Sequence, residues 1–276
     1  MNILFTGNRG NLGREMIPLL EKDHTVQYAN VDYSDPNIVD SFFRNRSVDF
    51  IIHAAIRGGR RVRVDTADDL YNNLQMFENL AELRIPMINI CSGAAYGRQD
   101  HIIGVSERQF GKKIPTDYYG FAKYLISHRC RQYDHVYNLR FFNVFGAQAP
   151  DTMFTTANIT NYINKKEIVV FKDKFMDFFG LLDAYKVIDL YLKDYKKLPK
   201  ELNLVYQPTI LLSEVGNMIN NLSDYDVPVK VLEPGYDKSY CASGAQLSKL
   251  NLNLDGLQKS LEYVLSLIHI SEPTRP

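Results

Sequence analysis

The sequence predicts an α/β fold: a doubly wound parallel sheet with a smaller C-terminal lobe over its strand ends. Two observations carry this. From Met1 to about Gly146, short apolar runs alternate with helical stretches, the pattern of parallel strands joined by right-handed crossovers. Beyond Pro150 the alternation loosens, first over 151–183 and again over 208–264. Residues 1–150 therefore read as the sheet domain, with 184–207 returning to it, and the two looser pieces read as one lobe.

The bulk composition fits this and excludes several classes. A 45% hydrophobic share, with 18 Tyr and 15 Phe, supplies a full core. Lys+Arg and Asp+Glu both number 32, and a chain without net charge does not read as a general nucleic-acid or membrane-surface binder. No apolar run approaches the roughly 20 residues of a membrane span. Cys91, Cys130 and Cys241 have neither ligand-like spacing nor an even framework, so the expected compartment is the reducing cytoplasm. The last stretch, 265–276, reads as a translated sequencing adapter rather than natural protein and is set aside from the fold.

Along the chain, strand-like Ile3-Leu4-Phe5 runs into Thr6-Gly7-Asn8-Arg9-Gly10-Asn11-Leu12-Gly13 and then a helix through Met16, Ile17, Leu19 and Leu20. Strand, glycine-rich turn and helix in that order make a dinucleotide site, because backbone N–H groups close on a pyrophosphate at the positive helix end. The strand Thr25–Ala29 follows, and it does not end in the Asp or Glu that would grip a free ribose 2′-hydroxyl. Arg9 inside the loop is available to a 2′-phosphate instead, which favours NADP and leaves NAD as the alternative. Residues 48–55 form a buried strand ending in the small pair Ala54-Ala55, where a cofactor can lie against the backbone. His53 at its end reads as packing, since no other His or Cys is placed to share a metal. Arg57, Arg60, Arg61 and Arg63 follow, either a phosphate-receiving rim or a solvated loop face. A helix through Leu70, Asn73, Leu74, Phe77 and Leu80 leads to the strand Met87–Cys91. Ser92 then stands at the C-terminal strand end, where open α/β sheets place ligands.

The chemistry converges on the helix that opens after Pro115 and Thr116. Tyr119 and Lys123 are four residues apart and share a helix face. An ammonium beside a phenol is expected to lower a pKa near ~10 and suit the tyrosine to proton transfer at an alcohol or ketone carbon. The last strand of the domain spans 136–146.

Four features thus coincide in order: Thr6-Gly7-x-x-Gly10-x-x-Gly13, Ser92, Tyr119-x-x-x-Lys123 and Arg140-x-x-Asn143-x-x-Gly146. Together they resemble the extended short-chain dehydrogenase/reductase family, the NAD-dependent epimerase/dehydratases of nucleotide sugars, over nearly all of residues 1–264. Met176-Asp177-Phe178 through Asp183, and Leu247-Ser248-Lys249-Leu250, echo it later. The Gly7-Asn8-Arg9-Gly10 form is most similar to the NADPH-using GDP-fucose synthase and dTDP-4-dehydrorhamnose reductase branches. The resemblance implies a Rossmann-like fold with a substrate lobe. It implies that Tyr119 is the proton donor or acceptor, that Lys123 holds the nicotinamide ribose, and that Ser92 bonds the reacting sugar oxygen. It further implies that Gly7, Asn8, Arg9, Gly10, Asn11, Leu12 and Gly13 cradle the cofactor and that Asp32 touches the adenine. Ala54, Ala55, Asn73 and the backbone near Phe142 would complete the cofactor site, and Asn143 would touch the substrate. A homodimer built on helix pairing is implied as well.

Departures from the family pattern narrow the expected reaction. Dehydratases carry Thr-Asp-Glu where this chain has Ser92-Gly93-Ala94, so elimination of water lacks its acid. Double epimerisation needs a cysteine and a histidine where this chain has Ala94 and Gln148. What remains is hydride transfer at C4, by a 4-ketoreductase or by a 4-epimerase with tightly held NAD; a non-catalytic cofactor sensor is the reading from another class. The family arginine before Asp177 is Met176 here, and a second one near 231–235 is missing. Clamping of a diphosphate would then fall to Arg57–Arg63 or to Lys172 and Lys174, unless the substrate carries none.

Overall fold

A computed structural model describes residues 1–59 and 63–271, so Arg60 and Arg61 of the arginine loop and residues 272–276 of the tail lie outside the described residues. The first half of the chain runs β1 (Asn2–Thr6), α1 (Asn11–Leu20), β2 (Thr25–Gln27), α2 (Pro36–Phe43), β3 (Phe50–His53), α3 (Ala67–Ala81), β4 (Met87–Ser92), β5 (Ile102–Val105) and α4 (Tyr118–Cys130). The second half runs β6 (Val136–Phe141), β7 (Val144–Phe145), α5 (Phe154–Ile163), β8 (Ile168–Asp173), β9 (Phe179–Gly180), α6 (Leu181–Asp194), β10 (Glu201–Leu204), α7 (Leu212–Asn220), β11 (Val229–Tyr236), β12 (Tyr240–Ala242), α8 (Ala245–Ser248) and α9 (Gly256–Ser271).

Six strands form one parallel sheet in the order β10-β6-β4-β3-β1-β2. Its strands are apolar on both faces because helices cover both. Ile3 and Phe5 of β1 point into a cluster with Met16 and Leu20 of α1 and Val187 and Tyr191 of α6. Leu4, between them, points the other way into Phe77 and Leu80 of α3 and Ile126 of α4. This is the period-two alternation of a strand serving two cores. Strand growth reverses direction between β1 and β3, so a crevice opens at their C-terminal ends. The segments 151–183 and 208–264 meet where β8 pairs in parallel with β11. Ile159, Ile168, Val170, Val215, Ile219 and Leu261 form a separate apolar cluster there. α6 packs on the main sheet, and β10 adds to its edge beside β6.

Several boundaries differ from the sequence expectation. β2 stops at Gln27 rather than Ala29. α4 is capped by Asp117, whose Oδ1 accepts from Gly120 N at 2.9 Å, so Thr116 lies outside the cap. The strand expected over 136–146 breaks at Phe142 and Asn143, and β7 leaves the main sheet to pair with β9. α9 continues beyond Val264 through Ser271, and Leu265 and Ile268 lie against the second cluster. No helix among the described residues is long and apolar enough to cross a membrane. The three cysteines are free and buried.

Asp183 ties α6 to α9. It is fully buried, accepts from Tyr206 Oη at 2.6 Å, Asp255 N at 2.9 Å and Gly256 N at 3.0 Å, and pairs with Lys186 at 3.0 Å. Asp183→Ala leaves these donors without their acceptor and is expected to cost about 3 kcal/mol, read as a drop of several degrees in melting temperature.

Candidate active site

The crevice is lined first by the loop between β1 and α1. Gly7 has φ +80°, and a Cβ there would stand 2.8 Å from the backbone of Ala54 and Ala55. Only glycine gives both the left-handed turn and that approach. Gly10 N donates to Gly7 O at 2.9 Å, and Gly13 is buried against the same carbonyl. Gly10 is the N-cap residue of α1, with no side chain capping it and no acid in the first turn. The helix thus begins with free N–H groups and a positive end, while Asn8, Arg9, Asn11 and Leu12 surround it. Thr6 Oγ1 accepts from Ala55 N at 3.1 Å and contacts His53 Nδ1 at 2.9 Å. His53 is buried, and desolvation together with nearby Lys123 lowers its pKa to about 3, so the ring is a neutral packing element.

At the adenine end expected from sequence, Asp32 accepts from Ser34 Oγ at 2.5 Å and Ser34 N at 3.0 Å, and from Arg57 Nη2 at 2.7 Å. These bonds, led by Ser34, hold its carboxyl below the usual range. Asn73 is buried with its amide committed to the loop after β3: Oδ1 accepts from Arg57 N at 2.8 Å and Nδ2 donates to Arg57 O at 2.9 Å. Arg63 Nη2 donates to both carboxylate oxygens of Asp69 at 2.8 Å, within the capping box of α3.

The candidate reacting groups gather at the end of β4. Ser92 Oγ lies 3.3 Å from Tyr240 Oη and accepts from Ala94 N at 3.2 Å. The Ser92 hydroxyl also acts on Tyr119, favouring its phenolate. Lys123, one helical turn on, is buried and donates from Nζ to Ile90 O at 2.7 Å. The expected lowering of the Tyr119 pKa by Lys123 is not what this arrangement gives. Burial raises the phenol above its ordinary value, and the main opposing influences are the Ser92 hydroxyl and the guanidinium of Arg98. Burial also lowers the Lys123 pKa, and its ammonium is spent on a carbonyl. Asn143 Nδ2 is held by Asp177 O at 2.7 Å. Arg140 is fully buried on Glu201 at 2.5 Å, which places it in the structural core.

The profile of the NAD dependent epimerase/dehydratase family matches residues 3–205. The chain belongs to that family. Solved structures share its fold along nearly the whole chain. A UDP-glucose 4-epimerase with UDP-glucose from Thermotoga maritima superposes with a TM-score of 0.80 at 17% identity, covering 98% of this chain and 99% of that one. A GDP-D-glycero-L-gluco-heptose synthase from Campylobacter jejuni, in the presence of NADPH, gives 0.81 at 14% identity over 98% of both chains. A dTDP-4-dehydrorhamnose reductase from Clostridium acetobutylicum gives 0.78 at 18% identity, covering 98% and 100%. No curated protein matches the sequence significantly. At these identities the structures establish the fold alone.

Three neighbours of the candidate site carried no local signal in the sequence. Tyr240 comes from β12, 148 positions after Ser92, and its ring packs on Phe142 at 4.9 Å. Gly93 makes this possible, since a Cβ there would stand 2.6 Å from the Phe142 ring. Glu15 of α1 receives Ala147 N and Gln148 N, both at 2.9 Å, and so fixes the loop after Asn143. Arg98 forks onto Asp117 beside Tyr119. A cleft of about 430 Å³ opens here, lined by Gly59, Arg63, Asp65, Arg98, Asp117 and Tyr118. A larger cavity, about 780 Å³, lies beyond Asp177 among Tyr206, Met218, Leu247 and Leu257, and contains none of Ser92, Tyr119 or Lys123.

Asp177 is buried and accepts from Ala242 N at 2.6 Å; desolvation outweighs that bond and raises its pKa to about 7. Between pH 4 and 7 the unfolded chain gives up this proton while the folded chain keeps it, so stability falls as pH rises, by about 1.4 kcal/mol per unit. Asp177→Asn is expected to melt above wild type at pH 8, with the difference shrinking toward pH 5.

Proposed function

We propose that the protein is an NADPH-dependent 4-ketoreductase acting on a nucleotide-activated sugar in the cytoplasm. The observation that carries the reading is the trio of Ser92, Tyr119 and Lys123 at one strand end, next to a stretch without an acid. Gly93 and Ala94 are small and buried. The carboxylate of Asp117, at the start of the helix that carries Tyr119, is engaged by Arg98 and Gly120 N. Elimination of water has no acid to use there, whereas hydride addition to a ketone needs only a proton donor and an oxygen clamp.

The glycine cradle and the uncapped start of α1 fit a dinucleotide, because a side chain at Gly7 would fill the space against Ala54 and no acid opposes a pyrophosphate. NADPH supplies the hydride when bound. Ser92 Oγ then holds the ketone oxygen, and Tyr119 Oη delivers the proton that turns the developing alkoxide into an alcohol. Lys123, with one of its three donors on Ile90 O, has two left for a ribose hydroxyl. Asn143, fixed by Asp177, faces the sugar. Arg9 and Arg57 together favour a 2′-phosphate over a bare ribose hydroxyl. Two copies associate through paired helices, which gel filtration reads.

Tyr119→Phe is expected to lower kcat on a 4-keto sugar nucleotide by about a thousandfold or more and to leave NADPH affinity nearly intact, measured by cofactor oxidation and fluorescence titration. Wild type that retains NAD(H) through purification and turns over no NADPH would replace the reductase reading by a 4-epimerase. Arg57→Ala is expected to weaken NADPH about tenfold and NADH little; equal loss for both would remove the 2′-phosphate assignment.

A further inference from the structure

Arg98 directly follows the turn Gly93–Gly97 that leaves β4, and its side chain runs back to the candidate proton donor. Its guanidinium carbon lies 5.3 Å from the centre of the Tyr119 ring. Nε donates to Asp117 Oδ2 at 3.1 Å and Nη2 to Asp117 Oδ1 at 2.8 Å, a two-pronged grip that fixes the plane of the cation. Asp117 is itself fixed, since Oδ1 also caps α4 through Gly120 N. The helix start, the cation and the phenol two residues into the helix therefore form one rigid unit.

We propose that Arg98 is a positioning residue for Tyr119: clamped by Asp117, it keeps a positive charge on the phenol ring and stabilises the phenolate, the part that spacing alone gives to Lys123. The charged and titratable groups around Tyr119 support this division. From α4, Lys123 sends its ammonium to Ile90 O. From β4 and β12 come Cys91, Ser92 and Tyr240, of which Ser92 favours the phenolate and the other two disfavour it. From the loop after β3, Gly59 lies against the ring edge, and Arg63 and Asp65 line the cleft beyond. Asp117 opposes the phenolate, but its charge is shared between Arg98 and the helix start. Among these main neighbours Arg98 is the cation that favours ionisation of Tyr119. A ring cation that stays half-exposed also keeps its charge through the whole reaction, since arginine does not titrate.

The assignment rests on Tyr119 being the proton-transferring group, but its test needs no substrate. In protein carrying tyrosine labelled with carbon-13 at the ζ position, the Tyr119 resonance is the one that Tyr119→Phe removes. Its titration midpoint is expected to move up by about one pH unit or more in Arg98→Met and to stay near wild type in Arg98→Lys, which keeps the charge without the fork. In the enzyme assay, the high-pH fall of ketone reduction, where Tyr119 must be protonated, moves up with it. An unchanged midpoint in a folded Arg98→Met, or an equal rise in Arg98→Lys, would overturn the proposal. Wild type that reduces no 4-keto sugar nucleotide while the midpoint shifts would remove the reductase reading and keep Arg98 in place. An active wild type with no shift would do the reverse.

Discussion

The contact between Phe142 and Gly93 is the constraint on which the site depends. The strand from Val136 stops pairing at Phe141, and Phe142 turns its ring under the backbone of Gly93, closer than any Cβ would permit. Tyr96 stacks on one side of that ring at 6.1 Å, and Tyr240 tilts against it at 4.9 Å. Aromatic faces of this kind bury large area and fix relative orientation. Because the break at Phe142 and Asn143 also sends β7 to pair with β9, one local departure from a continuous strand does two things. It seats Tyr240 beside Ser92, and it hands the chain over to the second apolar cluster.

Around that frame the electrostatics are those of a drying pocket. Burial pushes the phenols of Tyr119 and Tyr240 upward and the ammonium of Lys123 downward, so each of these groups leans toward its neutral form. A fixed external charge would act on these groups without itself titrating. Arg140 does not supply one. It is fully buried, spends its charge on Glu201, and lies over Phe110 at 4.4 Å. Arg98 differs because it is only half-buried and paired with a carboxylate that a helix start also uses. The positive charge over Tyr119 is therefore available without the full cost of desolvating a cation.

How much of this could be read from the chain follows from how local each signal is. The turn Thr6–Gly13 is dictated by residues within one loop, and Tyr119 and Lys123 by helical spacing, so both were legible. Asn73 was expected at the cofactor, and its amide braces the backbone of Arg57 from both sides, a use that depends on where the loop after β3 returns. Arg57 itself read more as solvated face than as rim until the fold brought it to Asp32. Tyr240 could not be found, because parallel pairing of β12 with β5 sets its position and nothing near it in sequence marks it. The expected effect of Lys123 on Tyr119 failed for a related reason: spacing puts two groups on one face, but which acceptor the ammonium chooses is settled by the neighbouring strand.

Met176 shows the same logic in the second half of the chain. It is buried, its backbone bonds to Ile210, and it bridges to Tyr240, the residue that faces Ser92. With methionine at this position, a phosphate-bearing substrate would find its cations elsewhere. The cleft beside Tyr119 offers Arg63 and Arg98, both held by carboxylates and both about half-exposed. Arg98 shares Asp117 with the start of α4, and Arg63 is held by the carboxylate that caps α3. On the proposed reading the clamp on the substrate falls to these two arginines rather than to the lobe, and Gly59, which lies against the Tyr119 ring, borders the same cleft.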